Sequence, residues 1–93
     1  MKALYKYPMN IADINILTTK SDDLLGVMEQ RGGIVIYSIH DDDEEENTFE
    51  IAMFGIGQVA RNILDYKFLG MVSLCDGNYI QHVFYRKKPE VIG

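Results

Sequence analysis

Turn-forming residues interrupt this 93-residue chain about every ten positions, a spacing that suits short strands and leaves little room for long helices. The interruptions fall at Pro8-Met9-Asn10, Ser21-Asp22-Asp23, Gly32-Gly33, an acidic run closed by Asn47, Gly55 and Gly57, Gly70, Asp76-Gly77-Asn78 and Pro89. The segments between them are rich in Ile, Val, Tyr and Phe. From Asn10 to Thr18, Ile14 and Ile16 alternate with Asp13 and Asn15, a period of two. Leu24 to Gln30 and Ile34 to His40 flank Gly32-Gly33, which predicts a hairpin because glycine accepts positive φ freely. Thr48 to Phe54 is expected to pair with Ile34 to His40 across the acidic run. Tyr66 to Leu74 and Asn78 to Arg86 flank Asp76-Gly77, a second hairpin signal. Only Gln58 to Asp65 resists this pattern: Val59, Ile63 and Leu64 sit at helical spacing and predict a two-turn helix. The expected fold class is mainly β (β-rich α+β), one small domain over residues 1–93. It has about six or seven antiparallel strands, one short helix, a solvated acidic loop at 41–47 and a C-terminal tail at 87–93.

A chain of this length buries only ~65% of the surface its unfolded form exposes, so its own core gives marginal stability. The usual supplements are few. Cys75 is the single cysteine and cannot form an internal disulfide, and no Cys/His cluster at ligand spacing suggests a metal or other cofactor. Self-association is the expected remedy. No run approaches the ~18 apolar residues of a membrane helix. Lys2 and Lys6 interrupt any apolar region at the start, which argues against a signal peptide and for a soluble, intracellular protein.

The formal net charge is −5, and six consecutive acids, Asp41 to Glu46, dominate it. Without these six, the 14 acidic residues fall to 8 against 9 basic ones, close to neutrality. Six adjacent like charges repel and cannot be packed, so the run is a solvated loop. A duplex nucleic acid partner is not expected, since that affinity rests on a basic surface. A small anionic ligand in a local pocket needs only a few cations and stays open.

Tyr5-Lys6-Tyr7-Pro8 places two rings on one face of a strand and the lysine on the other. Two readings stand: an edge strand that buries its tyrosines, or rings that stack on a base while lysine or a neighbouring protomer meets phosphate. Gly55-Ile56-Gly57 ends a strand, and such a pair is either a turn or a backbone cradle for an anion. The third glycine of a dinucleotide fingerprint and a Walker-type lysine are both missing. His40 adjoins the acidic run, which lacks the alternating ligands of a calcium loop. His82 alternates with Ile80 and Phe84, which suggests a half-buried position on their face. Cys75 with His82, or a serine such as Ser38 or Ser73, would be needed for nucleophilic catalysis, but Cys75 sits in a turn without an acidifying helix. Paired His-x-Thr or His-x-Ser motifs of phosphodiester chemistry are absent, so no enzyme is expected. Arg86-Lys87-Lys88 either offsets the acidic loop or completes a pocket across a subunit boundary.

Tyr5-Lys6-Tyr7-Pro8, Leu25-Gly26-Val27-Met28-Glu29-Gln30 before a glycine turn, Phe54-Gly55-Ile56-Gly57, Tyr66-Lys67-Phe68-Leu69-Gly70 and Gln81-His82-Val83-Phe84 together resemble a family of small phage-encoded β-rich domains. The likeness covers the chain to about Phe84. It departs at Ile56, where that family usually has threonine, and at Gln58, where a histidine often follows. The chain is also similar to phage anti-CBASS proteins that act as nucleotide sponges. That resemblance implies a homo-oligomer such as a tetramer, in the cytoplasm of an infected bacterial host. It would bind a cyclic dinucleotide or oligonucleotide messenger without cleaving it. In that reading Tyr5 and Tyr7 stack bases, and Lys6, Arg31 and Arg61 meet phosphates. Gly55, Gly57 and Gln58 supply backbone donors, and His82 joins the site. The alternative is an acidic module that inhibits a host protein through the 41–46 loop; a phosphodiesterase is a third.

Overall fold

A computed structural model describes residues 1–11, 14–58 and 63–88 of the chain. Seven strands form two antiparallel sheets, mainly β as the turn spacing predicts. They are β1 (Lys2–Met9), β2 (Ile14–Thr19), β3 (Leu24–Gln30), β4 (Gly33–Asp41), β5 (Asn47–Phe54), β6 (Lys67–Leu74) and β7 (Tyr79–Lys87). One sheet has the order β1-β4-β3 and the other β2-β5-β7-β6. Period-two alternation sorts each strand into an inward apolar face and an outward one. The first sheet sends Leu24, Ile34 and Ile36 inward, and the second sends Leu17, Phe49, Ile51, Met53, Val72, Leu74, Val83 and Tyr85. These residues make one core between the sheets. Removing side chains such as Phe49 and Ile51 from water contributes about 1.5–3 kcal/mol apiece.

The two sheets approach closely where β3 runs beside β6. A Cβ on Gly70 would lie 2.9 Å from Cγ1 of Val27, so the approach requires glycine there. The same segment carries a register shift between Phe68 and Gly70 against β7, a bulge that bends β6.

A thread of hydroxyls crosses the core toward the opposite edge. Tyr7 Oη and Thr19 Oγ1 are 2.7 Å apart, Thr19 Oγ1 and Ser21 Oγ 3.2 Å, and Ser21 Oγ and Ser38 Oγ 2.9 Å. It links β1 to the end of β2 and returns to β4, and Thr19, Ser21 and Ser38 are all buried. Each buried hydroxyl is thereby satisfied.

Both expected hairpins form. The β3–β4 turn is centred one residue earlier than Gly32-Gly33: Gln30 pairs with Gly33, and Arg31 and Gly32 have φ of 52° and 80°, the type I′ combination. The β6–β7 loop holds Cys75, Asp76 and Gly77 at positive φ. Two expectations need correction. Thr48 to Phe54 does not pair with Ile34 to His40: β5 lies between β2 and β7, and β4 between β1 and β3. The acidic link crosses from one sheet to the other, which sets the apolar faces of β4 and β5 opposite each other across the ~10 Å between packed sheets. The helix expected over Gln58 to Asp65 is, in its described part, a single 3₁₀ turn at Ile63–Asp65; residues 59–62 lie outside the described residues. Asp41, read as part of the loop, ends β4 and is half-buried. Its carboxylate accepts from the Asp43 amide at 3.0 Å, an Asx-type turn.

Candidate functional site

Three loops gather near one end of the sandwich: the Arg31-Gly32 turn, the Gly55–Gln58 segment after β5, and the Cys75–Asn78 tip between β6 and β7. Between the second loop and the start of β7 lies a cleft of about 370 Å³, lined by Gly55, Ile56, Gln58 and Gly77 through Gln81. Gln58 folds back so that its Oε1 accepts from the Gly55 amide, and its own amide donates to the Gly55 carbonyl at 3.2 Å. A Cβ on Gly55 would lie 3.2 Å from Gln58 Oε1 and 3.6 Å from Gln81 Nε2. Gly57 has φ of 86°, a backbone state suited to glycine. The glycine pair is therefore a tight turn braced by the side-chain amide of Gln58.

Gln81 is the notable wall of this cleft. It points inward from β7 in the same alternation as Val83 and Tyr85 and is only 3% exposed. Its side-chain amide makes no hydrogen bond to another described residue. Tyr79, half-exposed, and Asn78 complete a lining that carries no formal charge. A carboxamide offers a donor and an acceptor side by side, the pattern that pairs with a nucleobase edge. A second hollow of about 600 Å³ lies between the two hairpin tips, beside Glu29, Gly32, Cys75 and Asp76, and its acids disfavour an anion there.

The remaining candidates are dispersed. Tyr5 and Tyr7 face inward from β1 in the other sheet, with Lys6 on the outer side, where its Nζ donates to Gln30 Oε1 at 2.9 Å. Tyr7 belongs to the edge of the core and to the hydroxyl thread. Tyr5 stacks flat on His40, with ring centroids 4.4 Å apart and planes inclined by 6°. The edge-strand reading describes Tyr7; one face of the Tyr5 ring is covered by His40, and the residue stays 44% exposed. Arg31 is exposed at its turn tip, close to the cleft end of the molecule. His82 stands on the outer face of β7 with Ile80 and Phe84, half-buried as its alternation predicts. Arg61 lies outside the described residues. The structure thus brings together Gly55, Gly57 and Gln58 and adds Asn78, Tyr79 and Gln81; Tyr5, Lys6 and Tyr7 are held elsewhere in the same chain.

A family model described as "Domain of unknown function (DUF7352)" matches residues 1–92. The chain belongs to this family. No curated protein and no solved structure matches it.

The DUF7352 domain carries its firmest charge arrangement away from the cleft. Glu50 Oε2 accepts from Tyr66 Oη at 3.0 Å and from Arg86 Nε and Nη2 at 3.2 and 3.0 Å. Burial alone would raise the Glu50 carboxyl, but these hydrogen bonds outweigh it and hold the group below the usual glutamate range. The Arg86 guanidinium also lies 4.7 Å from the centre of the Tyr66 ring. Burial, with the Asp23 carboxylate nearby, pushes the Tyr85 hydroxyl up to about 12. Among the described residues, no group of three or more His, Cys, Asp or Glu side chains is placed to hold a metal ion. No described helix is long and apolar enough to cross a membrane.

Gln81, Asn78 and Tyr79 were not distinguished by sequence reasoning. One signal for Gln81 was available: it is the polar member of the inward series Gln81, Val83, Tyr85. A glutamine in such a series needs a partner.

Proposed function

We propose that this domain is a non-catalytic module that binds a nucleotide, and that its ligand is a cyclic di- or oligonucleotide messenger. In that role it would sequester the messenger of a bacterial antiphage, CBASS-type response on behalf of a phage. The observation that carries the reading is the Gln81 carboxamide at the wall of a neutral cleft, bonded to no other described residue. The Gln81 carboxamide carries a donor and an acceptor side by side, and a base edge supplies both complements. Tyr79 offers a ring for stacking, and the Gly55–Gln58 turn brings backbone close to the ligand. Arg31, at the neighbouring turn, provides a cation for phosphate. Tyr5 and Tyr7 have no part in this version of the site.

The test is isothermal calorimetry with cyclic dinucleotides and trinucleotides on the wild-type chain, Gln81→Leu and Tyr79→Ala. Saturable binding, weakened tenfold or more in both variants while they melt cooperatively, is the expected result. Intact nucleotide should be recovered after heat denaturation of the complex. Absence of binding across the panel, or affinity indifferent to Gln81, would refute the site.

A second reading has its own observation. Asp22, Asp23, Asp41 and Glu44 outnumber Lys2 around a hollow of about 510 Å³ that also includes Leu25 and Ile39. A predominantly acidic rim around apolar side chains suits a basic, partly apolar segment of a host protein. Replacing the acidic run would abolish that activity and leave nucleotide binding untouched.

A further inference from the structure

The outward face of the four-stranded sheet is the strongest unpartnered feature of the described surface. Strand alternation that sends Phe49, Ile51 and Met53 inward sends Phe54 outward. By the same rule, Ile14 and Ile16 of β2, Phe68 and Met71 of β6, and Phe84 of β7 also face out. The rings form a ladder across three adjacent strands, with centroids 6.1 Å apart for Phe54 and Phe84 and 5.2 Å for Phe68 and Phe84. Phe68 and Met71 are each 57% exposed and Ile16 56%, so the stripe runs from one sheet edge to the other. An antiparallel sheet that faces water on one side carries polar residues there; here Thr18, Thr48, Glu50 and Arg86 hold one end of the face, while Ile14, Phe54, Phe68, Met71 and Phe84 make most of the rest apolar. Continuous apolar surface of this kind marks an interaction site.

We propose that this face is the interface between two copies of the chain, packed sheet on sheet about a two-fold axis. Two observations favour a second copy over other occupants. First, a two-fold interface presents one patch to itself, so its charges must already be balanced. Arg86 is bonded to Glu50 within the same face, with Asp65 3.9 Å from its Nη1. Second, four strands of about eight residues cover a footprint of about 500 Å² before side-chain relief, enough for the centre of a standard interface of ~800 Å² a side.

A single-stranded nucleic acid would also find rings to stack on. It needs cations free for phosphate, and Arg86 is committed to Glu50. This proposal stands apart from the nucleotide reading, because none of the outward residues named here braces the Gly55 turn.

Sedimentation velocity of the full chain at micromolar concentration tests it, with Phe68→Glu, Ile16→Lys and, as a control, Leu4→Glu on the outer side of the other sheet. The wild type should sediment at no less than twice the 10.6 kDa chain mass. Phe68→Glu and Ile16→Lys should each reduce the particle to half the wild-type mass or less, because every dimer receives two desolvated charges. Both should keep the circular dichroism and cooperative melt of a folded sheet, and Leu4→Glu should match the wild type. If Phe68→Glu does not fold, Ile16→Lys on the far edge strand decides alone. A wild-type monomer would overturn the proposal. So would an oligomer that persists in the folded face variants, or one that only Leu4→Glu dissociates.

Discussion

Replacing Tyr7 by phenylalanine removes one atom from the hydroxyl thread and leaves the ring packed at the core edge. Tyr7 Oη lies 2.7 Å from Thr19 Oγ1, and Thr19 is 4% exposed, so water cannot take the vacated place without opening the sheets. Thr19 keeps its 3.2 Å contact with Ser21, so the loss is one hydrogen bond and not a fully orphaned hydroxyl. The expected cost is about 1 kcal/mol. For a domain of this size that lowers Tm by about 4–8 °C. Tyr5→Phe is the internal control. Its hydroxyl bonds no other described residue and its stack on His40 survives, so stability should change by less than about 0.5 kcal/mol. Urea melts of both variants, of Thr19→Val and of Tyr7→Phe with Thr19→Val measure the coupling directly. The pair should fall short of additivity by roughly 0.5 kcal/mol or more, since both substitutions break the same bond. A Tyr7→Phe protein as stable as wild type, with additive behaviour in the double variant, would refute the thread as a structural device.

Gly70→Ala places a methyl 2.9 Å from Cγ1 of Val27, and such overpacking should cost about 1–3 kcal/mol; Val27→Ala in the same chain should restore part of it, read by urea melts. Because the folded Glu50 carboxyl titrates below its ordinary value of 4.5, its contribution is complete above that value and is lost as pH falls through the lower folded one. Stability of Glu50→Gln measured against pH should therefore decline less steeply in acid than that of the wild type. Exchanging residues 42–46 for Gly/Ser of equal length should leave Tm within a few degrees, since these side chains are mostly solvated, provided Asp41 is kept to end β4.

Much of the fold was legible because turn chemistry and period-two alternation are local. Gly32 and Asp76-Gly77 marked both hairpins, and the inward and outward faces of β7 followed from Ile80, His82 and Phe84 alone. Partner choice among strands was not local. The acidic run looks the same whether it turns within a sheet or crosses between sheets. What decides is the packing of Phe49 and Ile51 against Ile34 and Ile36, which alternation does not encode. Of the candidate site, the Gly55–Gln58 turn was visible from its glycines and remains the nucleus of the cleft. Tyr5 and Tyr7 were chosen for ring chemistry, and sequence could not reveal that Thr19 and His40 already engage them. Gln81 was hidden for the opposite reason: its residue type is ordinary, and only its inward position makes it unusual.

The order β2-β5-β7-β6 also sets how this chain must fold. Only the β3–β4 and β6–β7 pairs join neighbours in sequence; Lys2 must find Asp41, Thr19 must find Asn47, and Phe49 must find Lys87. Closing such distant segments costs chain entropy before any contact is gained, so folding belongs to the slow range of milliseconds to seconds. During synthesis, β5 would emerge with β2 on one side and an open edge on the other. That edge stays unpaired until β7 has left the ribosome. For this interval the second sheet is half-built, its core residues uncovered, and the nascent chain is most exposed to misassociation.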